Sequence, residues 1–295
     1  MNFVKLAPFL AALVLAGCET PPPPAVAVAP PPAVGLARGI DLPTDASDVL
    51  GQLKGSRIDF VARYYRDAAS RWPTLTASEV QRIAALGLKI VTVWESHSHR
   101  PDYFSYASGY GDALNAYRQA KAVAQPSGSA IYFAVDFNAR GPDLAPVDQY
   151  FRGVAAGFAA AGGGKPEYKV GVYGSGAVCD MVKGARLAQY SWLSGSTAWE
   201  GSPGYANWSI RQIPQGARFA NLSFSHDANE AKDDYGGFSL SNAVSALAAA
   251  PAAVASAATA AVNAAAQAAA PPPAQGVAPA PQPDRSLAGL LKTWF

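Results

Sequence analysis

Carboxylates close several of the most apolar runs in this chain of 295 residues. In SAIYFAVDFNA, residues 129–139, six of the seven residues from Ala130 to Asp136 are apolar or aromatic, and the run then ends on the acid. Asp41 and Glu95 follow apolar runs in the same way. Carboxyl groups can donate or accept protons in catalysis. Because like charges gathered in a cleft repel one another, such a set is not expected to serve stability.

The segment 35–242 alternates between strand-like and helix-like patterns. The first six strand candidates carry the short apolar runs of buried parallel strands, and amphipathic helical patterns lie between several of them. Eight strands with short connections predict a single α/β domain, a (β/α)8 barrel. No glycine-rich dinucleotide or phosphate-binding motif is present. The strand candidates are 35–42, 57–65, 88–96, 129–137, 168–175, 190–196, 208–213 and 222–229, and the helical ones are 76–88, 110–125, 145–162 and 176–186.

A barrel brings the carboxyl ends of its parallel strands to one face, and that face carries the active site. The sequence therefore predicts a mouth with four acids, one glutamine and several aromatic rings. Alternatives remain for single residues: Asp41 and Asp136 could cap the following helices, and Asp227 could belong to a turn. The predicted mouth residues are Asp41, Tyr64, Trp94, Glu95, Asp136, Tyr173, Trp192, Gln212 and Asp227.

The ordered motifs RGID, ARYY, VWES, IYFAVDF, GVYGSG, WSIRQ and HDAN resemble a bacterial glycoside-hydrolase-like domain family typified by a secreted mycobacterial protein. The resemblance covers about residues 38–238. That family is similar in fold to the family 25 glycoside hydrolases, lysozyme-like muramidases that cleave the glycan of peptidoglycan. The resemblance thus implies a barrel that acts on peptidoglycan or a related N-acetylhexosamine glycan, without a cofactor.

The resemblance assigns roles residue by residue. Asp41, Asp136 and Asp227 match acids of the muramidases, and Tyr173 and Gln212 match positions that line the substrate more loosely. Asn138 departs from the pattern, because the muramidases have a glutamate there as presumed proton donor. An amide cannot donate that proton, although it could orient the N-acetyl group of a substrate.

We therefore expect Asp136 and Glu95 to carry the chemistry, with Asp41 and Asp227 in support. The apolar neighbours of Glu95 are expected to raise its pKa. The residues expected to bind substrate are Asn138, Tyr64, Trp94, Tyr173, Trp192 and Gln212. Tyrosines of the loop 100–112 are further candidates for stacking on sugars. His97, His99 and His226 raise the alternative of a metal site, but their context is that of solvated loop residues, and no metal is expected.

The N-terminus predicts export and lipidation. Residues 1–18 combine Lys5, a short apolar run and the ending LAGC, which resembles the lipobox of bacterial lipoproteins with Cys18 as the lipidated residue. Lipid there would anchor the protein without a membrane span. Glu19 is not the usual inner-membrane retention signal, so the outer membrane, facing the periplasm, is preferred. An ordinary secretory signal is the alternative.

The flanks differ in composition from the domain. Residues 19–34 form a proline-rich linker, residues 243–283 are rich in Ala and Pro, and residues 284–295 form a short amphipathic segment. With Cys18 acylated, only Cys179 remains, which excludes an internal disulfide. The net charge of +2 gives no argument for nucleic acid.

Two functions follow from these patterns. The first is an envelope-anchored monomeric glycoside hydrolase, bound to its glycan and, through lipid, to the membrane. The second is a barrel that binds glycan without turnover and has a structural or regulatory role in the envelope. Asn138 favours the second, and the four acids favour the first.

Overall fold

A computed structural model describes residues 35–53, 55–214, 219 and 221–240. Within them, eight strands close into a barrel in the order of the chain, which confirms the predicted fold class. The strands are β1 Ala37–Asp41, β2 Phe60–Tyr65, β3 Lys89–Trp94, β4 Ala130–Ala134, β5 Lys169–Gly174, β6 Tyr190–Leu193, β7 Ile210–Gln212 and β8 Asp227–Ala231. The α-helices are α1 Leu50–Leu53, α2 Ala77–Ala85, α3 Tyr106–Ala122, α4 Leu144–Ala161 and α5 Gly176–Gly184.

The eighth strand runs against the expected direction. Strands β1 to β7 pair in parallel, but β8 is antiparallel to both β7 and β1. Asp41, the last residue of β1, pairs with Asp227, the first residue of β8. The sequence-based view that the eighth strand ends at Asp227 is therefore wrong. The reversed strand nevertheless brings Asp227 to the expected face, because it begins there.

Alternation along the strands divides the apolar side chains between two cores. In β2, Phe60 and Ala62 belong to the core inside the barrel, with Tyr64 packed against it, whereas Val61 and Tyr65 belong to the core between barrel and helices. The interior is tightly filled. A Cβ on Gly39 would lie 2.1 Å from the ring of Phe60, so only glycine fits at this point of β1.

The helices begin at residues that cap them. The hydroxyl of Thr76 accepts a hydrogen bond from the backbone N–H of Glu79 at the start of α2. The Glu79 side chain does not complete a capping box, because its carboxylate binds Arg63 of β2. Ser105 and Ser108 form a reciprocal capping box that starts α3 four residues before the predicted position.

Among the described residues, no helix lies between β6 and β7 or between β7 and β8. Residues 215–218 and 220, which follow β7, are not among the described residues. No helix among the described residues has the length and apolar character that crossing a membrane requires. The predicted signal segment with Cys18, the proline-rich linker and the C-terminal segments 243–283 and 284–295 lie outside the described residues.

Candidate active site

A cavity of about 350 Å³ opens at the carboxyl ends of the parallel strands. Its lining is drawn from seven of the eight strands, from Glu95 directly after β3 and from Asp136 two positions after β4. It contains all four predicted acids and four of the six predicted substrate-binding residues. The lining residues are Asp41, Tyr64, Val93, Glu95, Asp136, Tyr173, Trp192, Gln212 and Asp227.

Asp41 is the most elaborately held acid of the cavity. Its Oδ1 accepts a hydrogen bond of 2.7 Å from the hydroxyl of Tyr64. Its Oδ2 accepts one of 2.8 Å from Nδ2 of Asn229 and a longer one of 3.4 Å from Nε2 of Gln212. Three donors from β2, β7 and β8 therefore fix the orientation of this carboxylate.

Burial outweighs these donors in setting the charge of Asp41. The side chain is 2% exposed, and burial, followed by the negative charge of Asp227, raises its pKa from 3.8 to about 6. The hydrogen bonds from Tyr64, Asn229 and Gln212 act in the opposite direction, because they favour the charged form. Asp41 therefore titrates close to neutral pH.

Glu95 follows β3 and has the pKa best placed for proton transfer. Burial, most of all, and the negative charges of Asp136 and Asp41 raise that pKa, the positive charge of Arg66 lowers it, and together they take it from 4.5 to about 7. The direction of the shift agrees with the prediction from sequence. Its causes differ, because the neighbouring carboxylates contribute as well as the apolar surroundings.

Arg66 is a residue that the sequence analysis missed. Its guanidinium carbon lies 4.4 Å from the centre of the Tyr64 ring, and its Nη1 donates a hydrogen bond of 3.3 Å to the backbone carbonyl of Glu95. Its buried Nε has no hydrogen-bond partner among the residues that the structure describes. Arg66 thus contacts both the tyrosine that holds Asp41 and the backbone of Glu95. Its position directly after β2, beside Tyr65, was the available signal.

Asp136 is held by its backbone in a loop rather than in a strand. Strand β4 ends at Ala134, and the backbone N–H of Asp136 donates a hydrogen bond of 2.9 Å to the carbonyl of Ser98. Burial raises the pKa of its carboxyl, the charge of His99 lowers it, and that of Asp227 raises it. Asp227 therefore acts electrostatically on both Asp41 and Asp136.

Aromatic rings and amides form the floor of the cavity. Tyr173 and Trp192 pack edge to face with their ring centres 5.4 Å apart. The indole of Trp192 donates a hydrogen bond of 2.9 Å to Oδ1 of Asn229, whose amide nitrogen binds Asp41. Tyr173 donates to Oε1 of Gln212 at 3.2 Å. Asn229 was also missed, although it lies two positions after Asp227, on the same side of β8.

Two predicted substrate-binding residues lie outside the cavity lining. Trp94 is 2% exposed and belongs to the outer core, because its neighbours Val93 and Glu95 occupy the inward positions of the alternating strand. Asn138 accepts a hydrogen bond of 2.8 Å from the backbone N–H of Glu200. Because β4 ends at Ala134, Asp136 and Asn138 both lie beyond the strand and do not share a strand face.

The histidines serve other contacts. His97 packs on the ring of Tyr103 at 5.0 Å, and Nε2 of buried His226 accepts a hydrogen bond from the backbone of Phe219. Among the residues that the structure describes, no group of three or more His, Cys, Asp and Glu side chains is arranged to hold a metal ion.

Comparison with known proteins identifies the family. The profile of the Rv2525c-like, glycoside hydrolase-like domain matches residues 51–242. The chain belongs to this family. It is also 32% identical over 177 residues to FadG of Bacillus subtilis (strain 168), an uncharacterized protein, in a match that covers 57% of this chain and 30% of FadG. The chain thus matches less than a third of that relative's length.

A solved structure supports the same fold. The Tat-secreted protein Rv2525c of Mycobacterium tuberculosis, solved in complex with HEPES, has a TM-score of 0.55 and 19% identity, over 68% of this chain and 98% of that chain. A glycosyl hydrolase 25 of Streptococcus pneumoniae is a more distant neighbour, with a TM-score of 0.42 and 13% identity, over 67% of this chain and 87% of that chain. The family match confirms the resemblance drawn from the sequence motifs.

Proposed function

We propose that this protein is a glycoside hydrolase that cleaves peptidoglycan or a related N-acetylhexosamine glycan at the mouth of its barrel. The observation that carries the proposal is a cavity that gathers four carboxyl groups, one of which, Glu95, has a pKa of about 7. Glycosidic cleavage needs a carboxylic acid that keeps its proton near neutral pH and a second carboxyl group that is ionised. The family description supports the reaction class.

Glu95 is the proton donor in this proposal. Asp136 is its ionised partner in this proposal, because the negative charge of Asp136 raises the pKa of Glu95 and so helps to keep the proton on Glu95. Glu95 would give that proton to the glycosidic oxygen as the bond from C1 to this oxygen breaks. Asp136 would then either attack C1 or take a proton from the water that attacks it.

Asp41 and Asp227 support this pair. The hydrogen bonds from Tyr64, Asn229 and Gln212 fix Asp41, and its charge contributes to the raised pKa of Glu95. Asp227 raises the pKa of both Asp41 and Asp136. Tyr64, Tyr173 and Trp192 supply aromatic surface for a sugar ring, and Gln212 supplies an amide for its polar groups.

The proposed cellular location is inferred from the sequence. The ending LAGC at Cys18 supports export and lipid anchoring, with the outer membrane facing the periplasm as the preferred site. The choice of peptidoglycan rests on the motifs that resemble the family 25 muramidases. We propose a monomer that contacts its glycan through the cavity and the membrane through lipid.

A second candidate is a glycan-binding protein without turnover. The observation that favours it is Asn138, which stands where the muramidases have a glutamate and whose side chain is bound to the backbone of Glu200. In this alternative the cavity holds a sugar but lacks a competent proton donor.

The test is digestion of purified peptidoglycan by the full-length chain, with released sugar fragments detected by mass spectrometry. Asp136→Ala is the test variant. Asp148→Ala is the matched control, because Asp148 pairs with Arg152 on the surface of α4, away from the cavity. Release by the wild type and the control, but not by Asp136→Ala, supports the hydrolase. Sedimentation with the polymer without release, weakened by Asp136→Ala, supports the binding protein.

A further inference from the structure

Three large hydrophobic side chains are exposed in the described part of the chain. They are Leu36 at 43%, Trp72 at 44% and Tyr106 at 48%. Leu36 precedes β1 and lies at the amino end of the barrel, opposite the cavity. Trp72 lies in the connection after β2, and Tyr106 is the first residue of α3, after β3. Both exposed aromatic rings therefore lie in connections that leave the cavity end of two adjacent strands.

The connection that carries Trp72 is closed at its base. The backbone N–H of Leu75 donates a hydrogen bond of 2.9 Å to the carbonyl of Tyr64. Gln119 of α3 binds both ends of the loop. Its Nε2 donates a hydrogen bond to the carbonyl of Arg66 at 2.6 Å, and its Oε1 accepts one from the hydroxyl of Thr74 at 2.6 Å. The loop 66–75 is thus fixed against α3.

The tip of this loop is also ordered. The backbone N–H of Ser70 donates to the carbonyl of Asp67 at 2.9 Å, and the N–H of Trp72 donates to the hydroxyl of Ser70 at 3.2 Å. Pro73 follows and restricts the backbone further. The exposed indole is therefore held on a defined turn, although burying it would be favourable.

The same loop touches the segment that bears Glu95. The backbone N–H of Asp67 donates a hydrogen bond of 2.7 Å to the hydroxyl of Ser96, the residue directly after Glu95. Tyr106 belongs to the next connection, and α3 packs closely on α4, where a Cβ on Gly109 would lie 2.0 Å from the carbonyl oxygen of Tyr150. The loop that carries Trp72 is therefore fixed beside the segment of Glu95, and the helix that begins at Tyr106 is fixed against α4.

We propose that Trp72 and Tyr106 form an aromatic platform that binds sugar rings of a long glycan chain outside the cavity, on the side of β2 and β3. The inference rests on the proposed function and extends the glycan-binding surface from the cavity to the rim of the barrel. A cavity of about 350 Å³ has room for only a short piece of such a chain. The rest must cross the rim, and aromatic faces offer a sugar ring apolar surface at low entropic cost.

The test compares the affinity for a short and a long probe. Binding of the N-acetylglucosamine disaccharide and hexasaccharide to the full-length chain is measured by calorimetry, for the wild type, Trp72→Ala and Tyr106→Ala. Leu36→Ala is the matched control, because it removes an equally exposed side chain at the opposite end of the barrel. Thermal unfolding confirms that each variant folds.

The aromatic platform predicts a selective loss. Trp72→Ala and Tyr106→Ala should each weaken binding of the hexasaccharide by about three- to tenfold, the worth of one aromatic contact. Affinity for the disaccharide, and both affinities of Leu36→Ala, should stay as in the wild type.

Other results overturn the inference in distinguishable ways. Unchanged hexasaccharide binding by both aromatic variants refutes the platform and leaves the proposed function standing. An equal loss for both probes shows that these residues act on the cavity itself and also refutes it. A wild type that binds neither these probes nor peptidoglycan overturns the platform together with the proposed function.

Discussion

Two buried clusters of charged side chains lie on opposite faces of β2, and they differ in how their charges are balanced. On the outer face, Nε of Arg63 donates to Oε1 of Glu79 at 2.5 Å, and both side chains are fully buried. The pair also binds the carbonyl of Leu42 and the N–H of Ala46. On the inner face, beyond Tyr64, four carboxyl groups share one cavity.

The difference shows what each arrangement serves. The outer pair balances its charges and satisfies its hydrogen bonds, as a structural buried ion pair must. The inner acids have like charge, and burial raises the pKa of Asp41, Glu95 and Asp136. A group of acids whose ionisation is unfavourable does not stabilise the fold, but it supplies protons near neutral pH.

The strongest test of the outer cluster is Glu79→Gln. This change leaves Arg63 buried without a counter-charge, and we expect a loss of about 3–5 kcal/mol in the free energy of unfolding. Denaturant unfolding at pH 7 measures it. Asp148→Ala breaks an exposed pair and should cost well under about 1 kcal/mol. A loss of similar size in both variants would remove the distinction between a buried and a surface pair.

The same substitution at the mouth, Glu95→Gln, should raise the free energy of unfolding rather than lower it. Glu95 has a pKa of about 7 in the folded protein and an ordinary value of 4.5, so the folded state loses stability as pH rises from about 4.5 to 7. Glu95→Gln avoids this loss and should gain up to about 3 kcal/mol at pH 8 and almost nothing at pH 4.

Thermal and denaturant unfolding of wild type and Glu95→Gln at the two pH values measure this gain. If Glu95→Gln were less stable than the wild type at pH 8, Glu95 would be a structural residue like Glu79, and the contrast between the two clusters would fail.

Arg66 sharpens the comparison because it is a cation in contact with the backbone of Glu95 and the ring of Tyr64. Its charge lowers the pKa of Glu95, so Arg66→Met should move the alkaline limb of the pH–rate profile upward by about one pH unit. Arg66→Lys keeps the charge and should leave the limb close to its wild-type position. An unshifted limb in Arg66→Met would show that Arg66 does not act on the charge of Glu95.

The smallest expected effect is at Asn138. Within the described part of the chain, its side chain accepts one hydrogen bond, from the backbone of Glu200, and it does not line the cavity. Asn138→Ala should cost about 1 kcal/mol in stability and leave the rate of glycan cleavage within about twofold. A large loss of activity without a loss of stability would mean that Asn138 contacts substrate after all.

The barrel and most of the cavity lining could be predicted because both depend on local patterns. Short apolar runs mark the strands, and the residues that end a parallel strand or follow it within two positions lie at the mouth whatever the details of packing. This rule correctly places Glu95, Asp136 and Gln212.

The errors have two physical causes. Alternation along β3 excludes Trp94 from the inner face once Val93 and Glu95 are inward, and the sequence already contained this information. The early end of β4 and the reversed direction of β8 depend on hydrogen bonds to distant segments, such as that from Asp136 to Ser98. No local pattern reports those bonds, and the position of Arg66 against Tyr64 and Glu95 is equally non-local.

The most direct test of the account is the pH dependence of sugar release from peptidoglycan, measured for the wild type and Glu95→Gln between pH 5 and 9. Glu95 must be protonated to act as the general acid, so release by the wild type should fall as pH rises through about 7. Glu95→Gln should be about 10²- to 10⁴-fold slower at pH 6. Cleavage by Glu95→Gln at the wild-type rate, with the same alkaline limb, would contradict the central claim.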